Sequence, residues 1–146
     1  MRIPKWFLII FIAVSFVGFL DAAYLTVQHY NKGILPCYIF SGCDKVLASS
    51  YAAVAGVPVS LFGALFYFLI LAAAVFYIDT KHKAALTILV YLPIAGFAAT
   101  LWLFFLQLFV IKAICFYCVV SAVSSTLLFG LGIYLWFLQK RPLIDK

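Results

Sequence analysis

The chain has 146 residues, 68% of them hydrophobic and only 10% charged, with a mean hydropathy of +1.23. That balance excludes a soluble domain, which needs a polar surface. The net charge of +6 does not mark a nucleic-acid binder, because its sign follows from where Lys and Arg fall between apolar runs.

A helix needs about 20 apolar residues to cross the hydrocarbon of a bilayer. Trp6 to Gln28, Val57 to Ile78, Ala84 to Ile111 and Ala113 to Leu138 meet or approach that length. They predict an all-α integral membrane protein, a four-transmembrane-helix bundle in the lipid bilayer, forming one domain over residues 1–146. Arg2 and Lys5 precede the first run as in a signal peptide, but Asp21 or Leu20 stands where cleavage needs a small residue, so the run is expected to remain as a span. Asp21 interrupts that span about 10 Å below its end. An ionisable group at such depth must face protein or water. It is either a functional group or a hydrogen-bonded acid that fixes helix packing.

The loop from His29 to Gly56 contains the turn formers Asn31-Lys32-Gly33 and Pro36, then Cys37, then Ser41-Gly42 before Cys43. From Asp44 to Val54, the residues Val46, Leu47, Tyr51 and Val54 recur at helical spacing, which predicts a short interfacial helix roofing the bundle. Pro58 suits the first turn of the second span, where its missing N–H costs nothing. In the third span Pro93 and Gly96 predict a kink or loosened turn. Ser121, Ser124, Ser125, Thr126, Gly130 and Gly132 in the fourth are small residues that let helices approach closely in lipid. With four spans, Arg2, Lys5, Lys81, Lys83, Lys140, Arg141 and Lys146 lie on one side and Lys32, Lys45 and Lys112 on the other. The excess predicts a multi-pass protein of the plasma membrane with both termini cytoplasmic.

All four cysteines then map to the extracytoplasmic face, where disulfides form and persist. Cys115-Phe116-Tyr117-Cys118 opens the fourth span directly after Lys112, which places the pair at a helix N-terminus. That position favours a thiolate, and the two-residue spacing suits a redox disulfide. So little loop precedes the pair that it lies at the lipid boundary, within reach of a lipid-soluble oxidant. Cys37 and Cys43 in the loop can also bridge, and two pairs at different depths make a relay by thiol–disulfide exchange. Two other readings stand beside this one: a scaffold with two structural disulfides, and a Cys₄ zinc or iron site, which an oxidising compartment disfavours. Haem fits less well, since His29 and His82 fall on opposite sides of the membrane.

Over nearly its whole length the sequence resembles the vitamin K epoxide reductase family, in its small prokaryotic form without a fused thioredoxin-like domain. The residues that carry the resemblance are Tyr24-Leu25, Cys37, the run Cys43-Asp44-Lys45-Val46-Leu47-Ala48-Ser49, Gly56-Val57-Pro58, Ser60-Leu61-Phe62-Gly63 and Cys115-Phe116-Tyr117-Cys118. The order of the pairs is specific, because DsbB-type proteins carry their CxxC pair near the start of the chain, whereas here it comes last. The resemblance implies that Cys118 faces and reduces a quinone, that Cys115 exchanges with Cys43, and that Cys37 pairs with Cys43 and meets an external protein. It places Ser49 near the active cysteines. Val59 stands where vertebrate members have an Asn that hydrogen-bonds the quinone, and Ala122 where they have a Tyr one turn after the CxxC. Both changes remove polar contacts and favour a plain quinone, of menaquinone, ubiquinone or vitamin K type, over an epoxide. The activity expected is oxidation of a DsbA-like thioredoxin-fold protein at the expense of a membrane quinone. No metal and no nucleic acid take part, and Asp21 is a candidate for supplying protons to the quinone.

Overall fold

The computed structural model describes residues 3–31, 50 and 53–141. Four helices among the described residues are long and apolar enough to cross a membrane. They are α1 (Lys5–Asn31), α2 (Val59–Thr80), α3 (Lys83–Phe105), extended by a π-helical turn over Leu106–Ile111, and α4 (Phe116–Lys140). Each is apolar around its whole circumference. In lipid a helix satisfies its own backbone, so an unbroken apolar run has no better alternative. Successive helices run antiparallel. α1 packs on α2 and α4, and α3 packs on the same two, so the helices form a ring.

The core holds Phe7, Phe11, Ile70, Ala74, Leu89, Leu128 and Leu135, while Trp6, Phe16, Leu65, Trp102 and Phe137 are among the large side chains left on the outside. That distribution suits a lipid solvent, where exposed Phe and Leu cost nothing and cohesion comes from close contact between helices. Gly132 provides one such contact: a Cβ there would lie 3.2 Å from the Leu89 carbonyl oxygen, so α4 approaches α3 by virtue of having no side chain. Gly130, by contrast, faces open space. Stacked Phe97 and Phe129, with centroids 4.2 Å apart, join the same two helices.

Three local expectations change. Ala53–Val54, anticipated as the end of the interfacial helix, instead form a strand, β1, antiparallel to β2 (Val57–Pro58). Between them Ala55 (φ 52°) and Gly56 (φ 83°) both adopt left-handed backbone, the requirement of a tight hairpin turn. The second span therefore begins at Val59, with Pro58 one residue before the first turn. α3 passes through Pro93 as one continuous helix, and the loosened turn lies at Leu106–Ile111 instead. The rest of the anticipated interfacial helix, with Cys37, Cys43 and Ser49, lies outside the described residues.

Candidate active site

The π turn places its last backbone groups on Gln107. The Gln107 carbonyl accepts from the N–H of Lys112, which turns the chain in left-handed conformation (φ 55°, ψ 36°), and from the Ala113 N–H at 3.1 Å. Two bonds on one carbonyl close the end of the third span as in other left-handed helix caps. Ala113 and Ile114 then lead to Cys115, whose extended backbone (φ −98°, ψ 127°) makes it the residue just before α4. Its carbonyl accepts the first helical bond, from Val119 at 3.0 Å. Cys118 is thus the member of the pair inside the first turn, and Cys115 stands immediately outside it. This difference from the sequence expectation arises because the left-handed turn uses up Lys112 to Ile114 before helix can start.

Cys115 is 0% exposed and packs against Leu25 of α1, while Cys118 is half-buried. The rings of Tyr24 and Tyr117, 5.3 Å between centroids, lie over the same junction. The Cys115 N–H donates to Gln107 Oε1 at 3.5 Å, and the Gln107 side chain and Cys115 both lie within interaction reach of the Cys118 sulfur. Nearby, the Thr26 hydroxyl bonds the Ala22 carbonyl at 2.8 Å and the Ser60 hydroxyl at 3.0 Å, tying α1 to the start of α2.

Asp21 is half-buried on α1, within electrostatic reach of Cys115, Cys118 and Tyr67, and its buried Oδ2 has no hydrogen-bond partner among the described residues. One turn along α1, Gly18 admits the ring of Tyr67. That ring is 1% exposed, and its hydroxyl donates to the Ser121 carbonyl at 2.7 Å and lies 3.1 Å from the Ser121 hydroxyl. Ser121 follows Cys118 by one turn of α4, so Asp21, Tyr67, Ser121 and the cysteine pair occupy one neighbourhood. Ala122, on the same face of α4 as Cys118, and Val59, the first residue of α2, are half-buried near this end, and no polar group stands at either. Starting one residue past Cys118, a wholly apolar groove of about 420 Å³ runs between α1 and α4, lined by residues that include Val17, Val119, Val123 and Leu127. No group of three or more His, Cys, Asp or Glu among the described residues is placed to hold a metal ion.

Sequence reasoning brought forward Cys115, Cys118 and Asp21, and they do lie together. Gln107 and Tyr67 were missed. Gln107 carried a signal, as a lone amide in an otherwise apolar run, whereas Tyr67 was one aromatic among many. Residues 9–133 match the model of the vitamin K epoxide reductase family. No curated protein matches the chain.

Proposed function

The chain belongs to the vitamin K epoxide reductase family, and from that premise we propose that this multi-pass membrane protein is a thiol:quinone oxidoreductase that reoxidises a DsbA-like partner. The observation that carries the reading is the Cys115–Cys118 pair at the start of a spanning helix, beside a half-buried acid and an apolar groove. A quinone ring with a polyisoprenoid tail suits such a place. The tail needs an apolar path to lipid, and the unpartnered Asp21 Oδ2 offers a polar contact near the redox pair. When bound, a quinone supplies an acceptor for two electrons and two protons.

The protein's own residues do the rest by thiol–disulfide exchange. The reduced partner transfers two electrons to the Cys37–Cys43 disulfide and leaves oxidised. The Cys43 thiolate attacks Cys115 Sγ of the Cys115–Cys118 disulfide; a Cys43–Cys115 bond forms, the Cys115–Cys118 bond breaks, and its electron pair goes to Cys118. Cys37 then closes onto Cys43 and releases Cys115. The resulting dithiol gives up two electrons and two protons as its disulfide re-forms. Val59 and Ala122 form apolar wall, and Asp21 delivers protons. With a donor near about −120 mV, as for DsbA, only a still more oxidising acceptor draws electrons in this direction. The excess of Lys and Arg at the other end supports an orientation with both termini in the cytoplasm and the cysteines outside it.

Purified protein in lipid, given a reduced DsbA-like protein and a quinone, tests the reading. Turnover that disappears in Cys118→Ala is the expected result. No electron transfer under any quinone would leave a scaffold with structural disulfides, and turnover only with a vitamin K epoxide would identify a reductase working on that substrate.

A further inference from the structure

Gln107 is 5% exposed in the last, π-helical turn of the third span, and a buried carboxamide at a π turn is an uncommon choice for a segment that only has to be apolar. Its backbone carbonyl holds the left-handed turn through Lys112 and Ala113, and its side-chain oxygen holds the Cys115 N–H. A primary amide has one acceptor oxygen and one NH₂ donor. With Oε1 engaged by Cys115, Nε2 is the end left for the Cys118 sulfur, which lies within interaction reach of the side chain.

We propose that Gln107 is a positioning residue for the redox pair: Oε1 clamps the backbone of Cys115 while Nε2 donates to the Cys118 sulfur when that sulfur is released as a thiolate. This role presupposes that Cys115 and Cys118 are the exchanging pair. Attack of an incoming thiolate on Cys115 forms one sulfur–sulfur bond, breaks the Cys115–Cys118 bond and leaves the electron pair on Cys118. A thiolate produced at the lipid boundary has little water to solvate it, so a fixed N–H donor there stabilises the charged form. The clamp on Cys115 keeps the attacked sulfur at the mouth of the bundle, buried against Leu25, with Cys118 three residues further along the chain, in the first turn of α4. The π turn contributes by carrying backbone cap and side-chain clamp on a single residue, so the end of the third span and the start of α4 are set by the same residue.

The experiment is alkylation of Cys118 in the reduced, full-length protein in lipid nanodiscs, followed across pH by mass spectrometry. Gln107→Leu and Gln107→Met both lose the NH₂ donor and the acceptor without adding a charge; Gln107→Asn keeps the amide on a shorter stem. Cys115 and Asp21, the ionisable groups among the described residues that act on the Cys118 sulfur, are unchanged in all three. The expected result is a midpoint of Cys118 alkylation higher by about one pH unit or more in Gln107→Leu and Gln107→Met, with Gln107→Asn between them and the parent. A midpoint unmoved in either donor-lacking variant, in protein that unfolds at the parent temperature, overturns the proposal. If one variant fails to fold, the other decides. Alkylation involves neither quinone nor protein partner. A failed turnover assay would therefore reject the proposed function without touching this result, and an unmoved midpoint would reject the role of Gln107 while turnover stood.

Discussion

Toward Lys5, Lys81 and Lys140 the bundle is filled by Phe7, Phe11, Ile70, Ala74, Leu89, Leu128 and Leu135, whereas toward Cys115 the interior includes Asp21, Thr26, Ser60, Tyr67, Gln107 and Ser121. Lipid makes this contrast informative. An apolar side chain loses little by facing acyl chains, so the first region coheres by close packing alone. Each polar group in the second region costs free energy unless it is bonded. Most are: Thr26 to Ser60 and Ala22, Tyr67 to Ser121, Gln107 to Cys115. Ser15 and Ser125, buried nearer the middle of the bundle, have no side-chain partner among the described residues, so what gathers at the cysteine end is the set of polar groups bonded from one segment to another. Their placement around two cysteines fits the redox role proposed for this end, and the apolar filling of the other end fits cohesion.

If that division is correct, substitutions at the two ends should fail in different ways. Cys118→Ala should bring quinone-linked turnover to background while thermal unfolding stays within about 1 kcal/mol of the parent; loss of fold together with activity would make the pair structural. Asp21→Asn, which preserves shape, should slow quinone reduction by about 100-fold, the scale of a positioned proton donor. Stopped-flow turnover equal to the parent would remove Asp21 from proton delivery. Ile70→Ala, in the apolar half, should show the reverse pattern, with intact turnover per folded molecule and a loss of about 2 kcal/mol. The figure sits at the low end for core truncations because lipid replaces water in the reference state and mainly the cavity remains. Gly18→Ala lies at the border. Its Cβ meets the Tyr67 ring, which cannot swing away without leaving Ser121. Overpacking of about 1–3 kcal/mol, less the helix gain of about 1 kcal/mol for replacing glycine, leaves a net loss near about 1 kcal/mol in denaturation assays.

The apolar region was legible in the sequence almost residue by residue, because uninterrupted hydropathy has one structural solution in lipid. All four spans lie within a few residues of their expected bounds, and they miss where a special backbone intervenes. Val57 and Pro58 went to a hairpin through the left-handed Ala55 and Gly56, and Ala113 to Cys115 went to the turn through Lys112. No side-chain pattern announces a left-handed alanine or lysine. The cysteine region was legible only in its reactive members. Cys115, Cys118 and Asp21 are chemically conspicuous, but Gln107 sits in a π turn that no side-chain pattern announces. Tyr67 depends on a glycine 49 residues away in the chain (67 − 18). Ser121, read as a small packing residue, proves to be the acceptor for a buried hydroxyl.

The finest probe of the division is a device that both ends share. Lys81 (φ 53°) closes α2 and Lys112 (φ 55°) closes the third span, each a non-glycine residue in left-handed backbone. Such a conformation costs an L-residue about 1–2 kcal/mol, and glycine removes that cost while adding about 0.5–1 kcal/mol of backbone entropy to the unfolded chain. The strain is the larger effect, so Lys81→Gly and Lys112→Gly should each stabilise by roughly 0.5 kcal/mol in thermal unfolding. Their consequences for the cysteines should differ. Lys81 caps the end remote from the pair, so Cys118 alkylation should not change. Lys112 forms the turn that carries Cys115 to Gln107, and the looser backbone should make alkylation faster or its pH dependence broader. Equal behaviour of Cys118 in the two variants would mean that the turn does not hold the pair, and that the rigidity of this end comes from α1 packing through Leu25 and the Tyr24–Tyr117 contact.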